Sequence, residues 1–565
     1  MRNLIDKLIA RLPLDFRVLY KQFLLRVIDL EALSIQADVV RFLGQFAGVL
    51  IMISLISAAG AFMSTIAPPA TPEGWLSLEW STEQFSIATM MLAVGLFTVI
   101  SWDATFPDRR DVMVLSPLPV APRTILFAKV TASGALVGLA ILTLNGASAF
   151  AWSLILGMRS GGLGFLQFCA AWWFTMIAAS VFLYCAVLTV QGFAALLLPR
   201  RIFLRLSAIL QLAAFGLFLG VYFLQPTLRS VATSSAPQNQ SWLAWSPCFW
   251  FFALFNQLNG SLPPTLAWLA VRAWAGLGAV VFGAALTLIL CYLHTMKKTV
   301  EEPDLVPAAH GLHWTPPIGS PLQSAIVLFS IRSLTRSRQH RVAFAFFLSI
   351  VFAIALAILR GELPDFAPAP LSPDFLMSTF MMMIFATVGL RWVFALPISL
   401  TANWVLRTTQ LRSPRKYIDA TRRSLLVLAV LPVWLLSALL TLPLRPLNLV
   451  AGHLVVLALI GYILAELNLI GFYKVPFTCS YLPGKSNFQF IFWGFIVVVI
   501  AIAIPLMLQE WSALQNWTSY AGMIGILIAV ASGRWAFNRY RAESAVIYFE
   551  EVPDEGILTL GLQQD

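Results

Sequence analysis

Residues 165–198 read FLQFCAAWWFTMIAASVFLYCAVLTVQGFAALLL, a run without a single Asp, Glu, Lys or Arg. A bilayer core of about 30 Å needs only about 20 apolar residues in a helix, so this run predicts a membrane span with length to spare. Working outward by the same test gives Phe42–Ile66, Gln84–Trp102, Thr124–Ile155, Phe165–Leu198, Leu206–Leu224 and Leu266–Leu293. After a polar break come Val342–Leu359, Phe375–Leu396, Leu425–Leu442, Leu449–Phe472, Phe488–Leu508 and Trp517–Gly533. The expected fold is all-α, a polytopic integral membrane protein of about twelve transmembrane helices. The third and fourth runs exceed what a perpendicular helix requires, so they are expected to tilt, break or extend past the bilayer.

Composition agrees. The 565 residues are 59% hydrophobic and 11% charged, against about 45–50% and about 25% in soluble globular chains. Mean hydropathy is +0.82. A soluble enzyme, a disordered chain and a disulfide scaffold are excluded. The five cysteines, Cys169, Cys185, Cys248, Cys291 and Cys479, have no paired spacing, and most lie within apolar runs. The segment 1–41 is basic and lacks the short apolar core and small-residue cleavage site of a signal peptide.

The net charge of +11 invites a nucleic-acid reading, which its placement removes. With the N-terminus inside, every Lys and Arg except Arg159, Arg229, Arg272, Arg360 and Arg445 falls on the inner side. That asymmetry is the positive-inside pattern, so the basic balance reports orientation, with both termini cytoplasmic. Membrane lipid is the expected partner of this charge, and no nucleic acid is.

The long polar stretch 294–341 divides the chain into two six-helix pseudo-repeats. Residues 1–305 form an elbow helix and six spans, 306–341 a cytoplasmic linker with a second elbow, and 342–565 six spans with a cytoplasmic tail. Phe16, Leu19, Phe23, Val27 and Leu30 share one helical face, with Arg17 and Lys21 opposite. Val327, Ile331 and Leu334 form a shorter stripe, with Arg332, Arg336, Arg338 and Arg341 crowding its end. Two placements are open for both helices: in the headgroup layer, or as plain juxtamembrane segments. Val94-Gly95-Leu96 recurs as Val388-Gly389-Leu390. Glu301-Glu302-Pro303-Asp304 is echoed by Glu550-Glu551-Val552-Pro553-Asp554. These echoes at corresponding places favour parallel repeats.

No catalytic set stands out. The string 479–486, CSYLPGKS, has Cys where a phosphate-binding loop needs its first Gly. His310 and His313, near Glu301 and Glu302, sit in a Pro- and Gly-rich loop with no helix to fix metal ligands. Ionisable groups within the spans are Arg272, Arg391, His453 and Glu466, and such groups are functional candidates by default. Arg272 can snorkel to the headgroups, and His453 reads as a neutral hydrogen-bonded histidine. Arg391 and Glu466 fall at similar depth and are expected to pair as a structural clamp. With so little charge near the midplane, an energy source outside the spans is expected.

The loop after the second span reads DATFPDRRDVMVLSPLPVAPRT (residues 103–124). Its charged cluster Asp108, Arg109, Arg110 and Asp111 precedes Leu115-Ser116-Pro117-Leu118-Pro119-Val120. This resembles the permease subunits of type-2 ABC exporters, whose first cytoplasmic loop carries a charged cluster, a Leu-rich stretch, a Leu-Pro-Val element and an Arg before the third helix. The six-span halves and the elbow helices are similar to that family too. The resemblance implies a first ATPase-coupling segment at 108–119 and a second around Arg412, Arg415, Lys416, Tyr417 and Asp419. The second is more basic and lacks the Leu-Pro-Val element. The family also has a re-entrant element between the fifth and sixth spans. Here that place holds Trp242, Trp245 and CFWFFALF (residues 248–255), including Phe249 and Trp250, too short to cross a bilayer. An aromatic belt at the outer surface explains the same residues. Residues 509–516 leave no room for such an element in the second half.

On this reading the chain is the transmembrane unit of an ATP-driven exporter in a bacterial inner membrane. It is not itself an enzyme and holds no cofactor, ATP-Mg being bound by a separate cytoplasmic ATPase that docks twice. An aromatic and aliphatic path favours a lipidic, amphiphilic or peptide-like cargo. The rivals are an integral membrane enzyme acting on lipid-linked substrates, which would need clustered carboxylates or His at one interface, and a noncatalytic scaffold. Glu73, Glu79 and Glu83 are the one outer acidic cluster of note, with no basic or His partner in the sequence nearby.

Overall fold

The computed structural model describes residues 13–28, 39–66, 71–101, 115, 118–224, 245–301, 319–359, 372–398, 414–441, 446–478, 488–544 and 546–547. Helices dominate, and no strand occurs among the described residues. In a bilayer core no water satisfies stray backbone groups, so chains of this composition span it as helices. Nine helices among the described residues are long and apolar enough to cross. This is an all-α multi-pass membrane protein.

The chain packs as two units. The first comprises Met1–Leu30, Ala37–Ala309 and Pro483–Ile491, the second Glu31–Gln36, His310–Leu482 and Phe492–Asp565. In the first, the elbow is α1 (Leu14–Ile28), followed by α2 (Val39–Ile66), α3 (Pro72–Ile100), α4 (Pro122–Ile155), α5 (Gly161–Leu197), α6 (Arg200–Leu224), a short α7 (Pro247–Asn259) and α8 (Ala267–Glu301). In the second, α9 (Pro321–Arg336) is the elbow. It is followed by α10 (Arg338–Leu359), α11 (Pro373–Phe394), α12 (Pro414–Leu425), α13 (Leu431–Thr441), α14 (Leu447–Asn468), α15 (Phe488–Ala513), whose first turn is grouped with the first unit, and α16 (Trp517–Ser544). Among the described residues each expected span lies largely on helix, although the tenth runs past the end of α14 at Asn468. The apolar stretches of α6 and α10 are shorter, at Ile209–Phe223 and Ala343–Ala353.

Local signals explain several boundaries. Thr71 caps α3, its hydroxyl oxygen accepting from Gly74 N at 3.1 Å with Pro72 at the first helical position. This start lies a dozen residues before the span read from hydropathy. The long third and fourth spans are unbroken helices of 34 and 37 residues, about 50 Å and about 55 Å long at 1.5 Å per residue, so they overrun or tilt. Between α12 and α13 the helix widens to a π-turn at Leu426–Val430, where Leu431 N donates to Leu426 O. Pro432 accounts for it: its ring would strike the carbonyl four residues back, and it has no N–H to give.

Within each unit the elbow packs on the start of the third span, α1 on α4 and α9 on α12. The second span packs on the fourth in both, as do the third on the fourth and the fourth on the sixth. The first spans differ: α2 lies along α4, whereas α10 lies along α11.

Between α5 and α8 two glycines meet two threonines. A Cβ on Gly192 would lie 2.6 Å from Thr287 Cβ, and one on Gly283 would lie 2.9 Å from Thr189 Cγ2. Thr189 Oγ1 also donates across to Val280 O at 3.2 Å. Lipid tails are as apolar as the side chains, so close approach and dispersion hold such helices together. Gly192→Val and Gly283→Val should each destabilise the protein by about 1–3 kcal/mol, measured by thermal unfolding in detergent. Gly278→Val, with open space around its Cβ, should leave the melting temperature unchanged.

Candidate functional site

Four groups of side chains bear on function, two at the elbow end of the units and two at the opposite end. In the first unit's elbow end, Leu19 and Phe23 of α1 are buried against Ile125, Ala128 and Ala132 of α4. Lys129 lies 5.2 Å from the Phe23 ring centre. Leu115, in the segment 108–119 expected to couple to an ATPase, and Val120 just after it pack into the same cluster. Two backbone bonds fold the segment there, from Leu118 N to Leu115 O and Val120 N to Leu118 O. Leu118 itself is exposed. Asp108, Arg109, Arg110, Asp111 and Pro117 lie outside the described residues.

In the second unit the corresponding residues divide. Tyr417, expected to contact an ATPase, is buried with Ile326, Ala420, Val475 and Ile547. It belongs to the packing of α9 on α12, because helical periodicity turns it inward from its neighbours. Lys416 is exposed, and Arg415 and Asp419 are half-buried. Arg412 lies outside the described residues. The chain leaving α11 is pinned by Phe477, whose N donates to Phe394 O at 2.8 Å and whose O accepts from Ile398 N at 3.2 Å. Phe477 has φ +67°, an uncommon conformation for a bulky residue. His340 adds a third fastening, donating from Nε2 to Leu396 O at 2.9 Å and taking a bond from Ser337 Oγ at 2.6 Å on Nδ1.

The expected Arg391–Glu466 pair does not form. Glu466, fully buried, meets Arg422 of α12, with Nε 2.5 Å from Oε1. It also accepts from Asn538 of α16 at 2.6 Å. Arg422 reaches back to Asp419 in the same helix. Arg391 instead donates to the carbonyls of Asn468 at 2.7 Å and Ile470 at 3.5 Å, at the end of α14. That is where the helix dipole favours a cation. Shared depth on two helices was insufficient to pair the side chains; α12, passing α14, supplied the nearer cation. Arg422 lies just ahead of its apolar run, where hydropathy does not mark it as a charge within a span.

At the opposite end of the first unit, α7 is buried against α3, α5 and α8. Phe249, Phe251, Phe252 and Phe255 are each at most 2% exposed, so the aromatic-belt explanation fails for them. Gly260, with φ +79°, turns the chain back. Trp250 is half-buried, its ring centre 6.0 Å from that of Phe182. Trp245 is exposed at 84% and stands apart from the buried helix. Trp242 lies outside the described residues. Glu83, read as an outer acid without a partner, is buried in α3 and accepts from Asn256 Nδ2 of α7 at 2.8 Å.

At the opposite end of the second unit, His453 bridges two spans. Its Nε2 lies 3.1 Å from Thr379 Oγ1 and its Nδ1 2.8 Å from Glu510 Oε1. The Thr379 hydroxyl donates to Leu376 O at 2.8 Å, so His453 donates to it from Nε2, and Nδ1 is hydrogen-bonded to Glu510. The histidine is hydrogen-bonded, as expected, but to a carboxyl that hydropathy placed beyond the eleventh span. The Thr71 cap and the absence of a stop before Gln515 were the signals that would have found Glu83 and Glu510. Among the described residues, no group of three His, Cys, Asp or Glu gathers as a metal site. His310 and His313 lie outside them. Comparison with known protein families, curated proteins and solved structures yields no match to this chain.

Two measurements test this geometry. Arg422→Ala strands a buried carboxylate and should cost about 3–5 kcal/mol. In double-mutant cycles Arg422 and Glu466 should couple by about 0.5–3 kcal/mol, while Arg391→Ala and Glu466→Ala should add. His340 lies ahead of its apolar span, and burial pushes its imidazole below the ordinary value, with the Leu396 carbonyl pulling part of the way back. The unfolded chain therefore binds this proton first, and stability should fall as pH drops below about 6.5. A pH series of melting temperatures should show a shallower acid slope in His340→Gln.

Proposed function

We propose that this chain is the membrane-spanning subunit of a type-2 ABC exporter in a bacterial inner membrane. A separate cytoplasmic ATPase docks on it in two copies and carries the ATP-Mg. The observation that supports this best is the setting of the first coupling segment. Leu115 and Val120 are packed with the elbow and the start of α4, while Leu118 projects between them at 49% exposure. A contact made at Leu118 would act on α1 and α4 through packed side chains, and packed elements transmit displacement by switching between discrete arrangements. An aromatic and aliphatic cargo path, as the composition of the spans favours, would suit a lipidic, amphiphilic or peptide-like substrate. Hydrolysis is the work of the partner, so the chain is not itself an enzyme.

The rival enzyme reading draws on Thr379, His453 and Glu510, which have the order of a nucleophile, base and orienting acid. Two features oppose it. The Thr379 proton is committed to Leu376 O, and the three side chains are each at most 2% exposed.

Leu118→Asp tests the proposal at a position where the fold has little at stake. Purified from membranes holding the ATPase, the variant should retain the wild-type melting temperature. It should lose ATPase association by about thirtyfold, the effect of removing an interface hot spot of about 2 kcal/mol. Undiminished association, or lipid-directed activity of the purified chain without nucleotide, would overturn the reading.

A further inference from the structure

At the elbow end of the second unit, α9, α12 and α16 enclose a cleft of about 170 Å³, roughly the volume of five or six waters. Arg415, Arg422, Arg423 and Arg539 line it, with Gln323 and Trp535. Asp419 is the one acid on its wall. Two of the arginines are occupied, Arg422 by Asp419 and Glu466, and Arg415 by Glu543 at 3.1 Å. Arg423 and Arg539 form no ion pair among the described residues. Arg539 lies over the Trp535 ring at 5.0 Å.

The backbone adds positive potential to the same place. The cleft is lined by Gln323 from the first turn of α9 and Arg415 from the first turn of α12, and neither first turn contains an acidic residue. Helix N-termini carry partial positive charge and favour anions. Gly319, with φ +83°, precedes the Ser320 cap of α9, and a Cβ there would collide with the Arg423 guanidinium. A cation is thus held against the positive end of a helix, an arrangement that an anion bound beside them in the cleft would relieve.

We propose that this cleft binds a phosphate group, recognised by the free guanidiniums of Arg423 and Arg539. Guanidinium forks match phosphate oxygens in pairs. Two sources share that chemistry, an anionic phospholipid headgroup and free phosphate. The surroundings suit the lipid. The apolar part of α16 gives way at Arg534, and Trp535, Phe537 and Tyr540 are exposed beside it, the pattern of a membrane interface. Basic pockets between spans at such a level take anionic headgroups. The inference does not depend on the exporter reading.

The test uses the full chain in detergent, with dioleoyl phosphatidylglycerol, dioleoyl phosphatidylcholine and inorganic phosphate as probes. Native mass spectrometry should show phosphatidylglycerol retained in preference to phosphatidylcholine. Arg423→Ala with Arg539→Ala should weaken that retention about thirtyfold, the contribution of two interfacial arginines. Lys21→Ala with Arg123→Ala, an equal loss of charge in the other unit, should not. Arg423→Lys with Arg539→Lys keeps the charge without the fork and should fall between, and it carries the test if the alanine pair fails to fold. A phosphate-dependent rise in melting temperature that the arginine variants abolish, without lipid preference, would assign the site to free phosphate. Equal retention in wild type and arginine variants, or no response to any probe, would overturn the proposal.

Discussion

Backbone groups in a hydrocarbon layer must find their hydrogen bonds within the chain, and that constraint governs this protein. It makes each apolar run a helix and leaves side-chain packing to hold the helices together. Since lipid competes equally for apolar surface, close approach matters most. The Gly192–Thr287 and Gly283–Thr189 contacts between α5 and α8 are its clearest expression.

Polar groups inside the spans then become expensive unless matched, and the two ends of the units solve this differently. At the elbow end Glu466 is neutralised by Arg422 and held by Asn538. This ties α12, α14 and α16 into one element just inside the cleft. At the opposite end Glu83 has a neutral amide, Asn256, and Glu510 has a histidine.

The elbows show how far local pattern carries. Leu19 and Phe23 lie on the apolar face that periodicity predicts, and both are buried, as are Val327 and Leu334 on the apolar stripe of α9. What they bury against was not legible. Tyr417 shows what pattern left open: it stands in a basic group that the resemblance implies for coupling, and the turn of α12 places its side chain in the core.

The sequence alone settled that this chain is a multi-pass helical membrane protein, because transfer of an apolar run from water to lipid depends on its own length and composition. The tertiary structure alone decided which polar side chains meet. Glu466 chose Arg422 over Arg391, and Glu83 found Asn256 a hundred and seventy-three residues away. Spans that are apolar on every side carry no mark of which face turns inward, so those partners are set by how the helices pack.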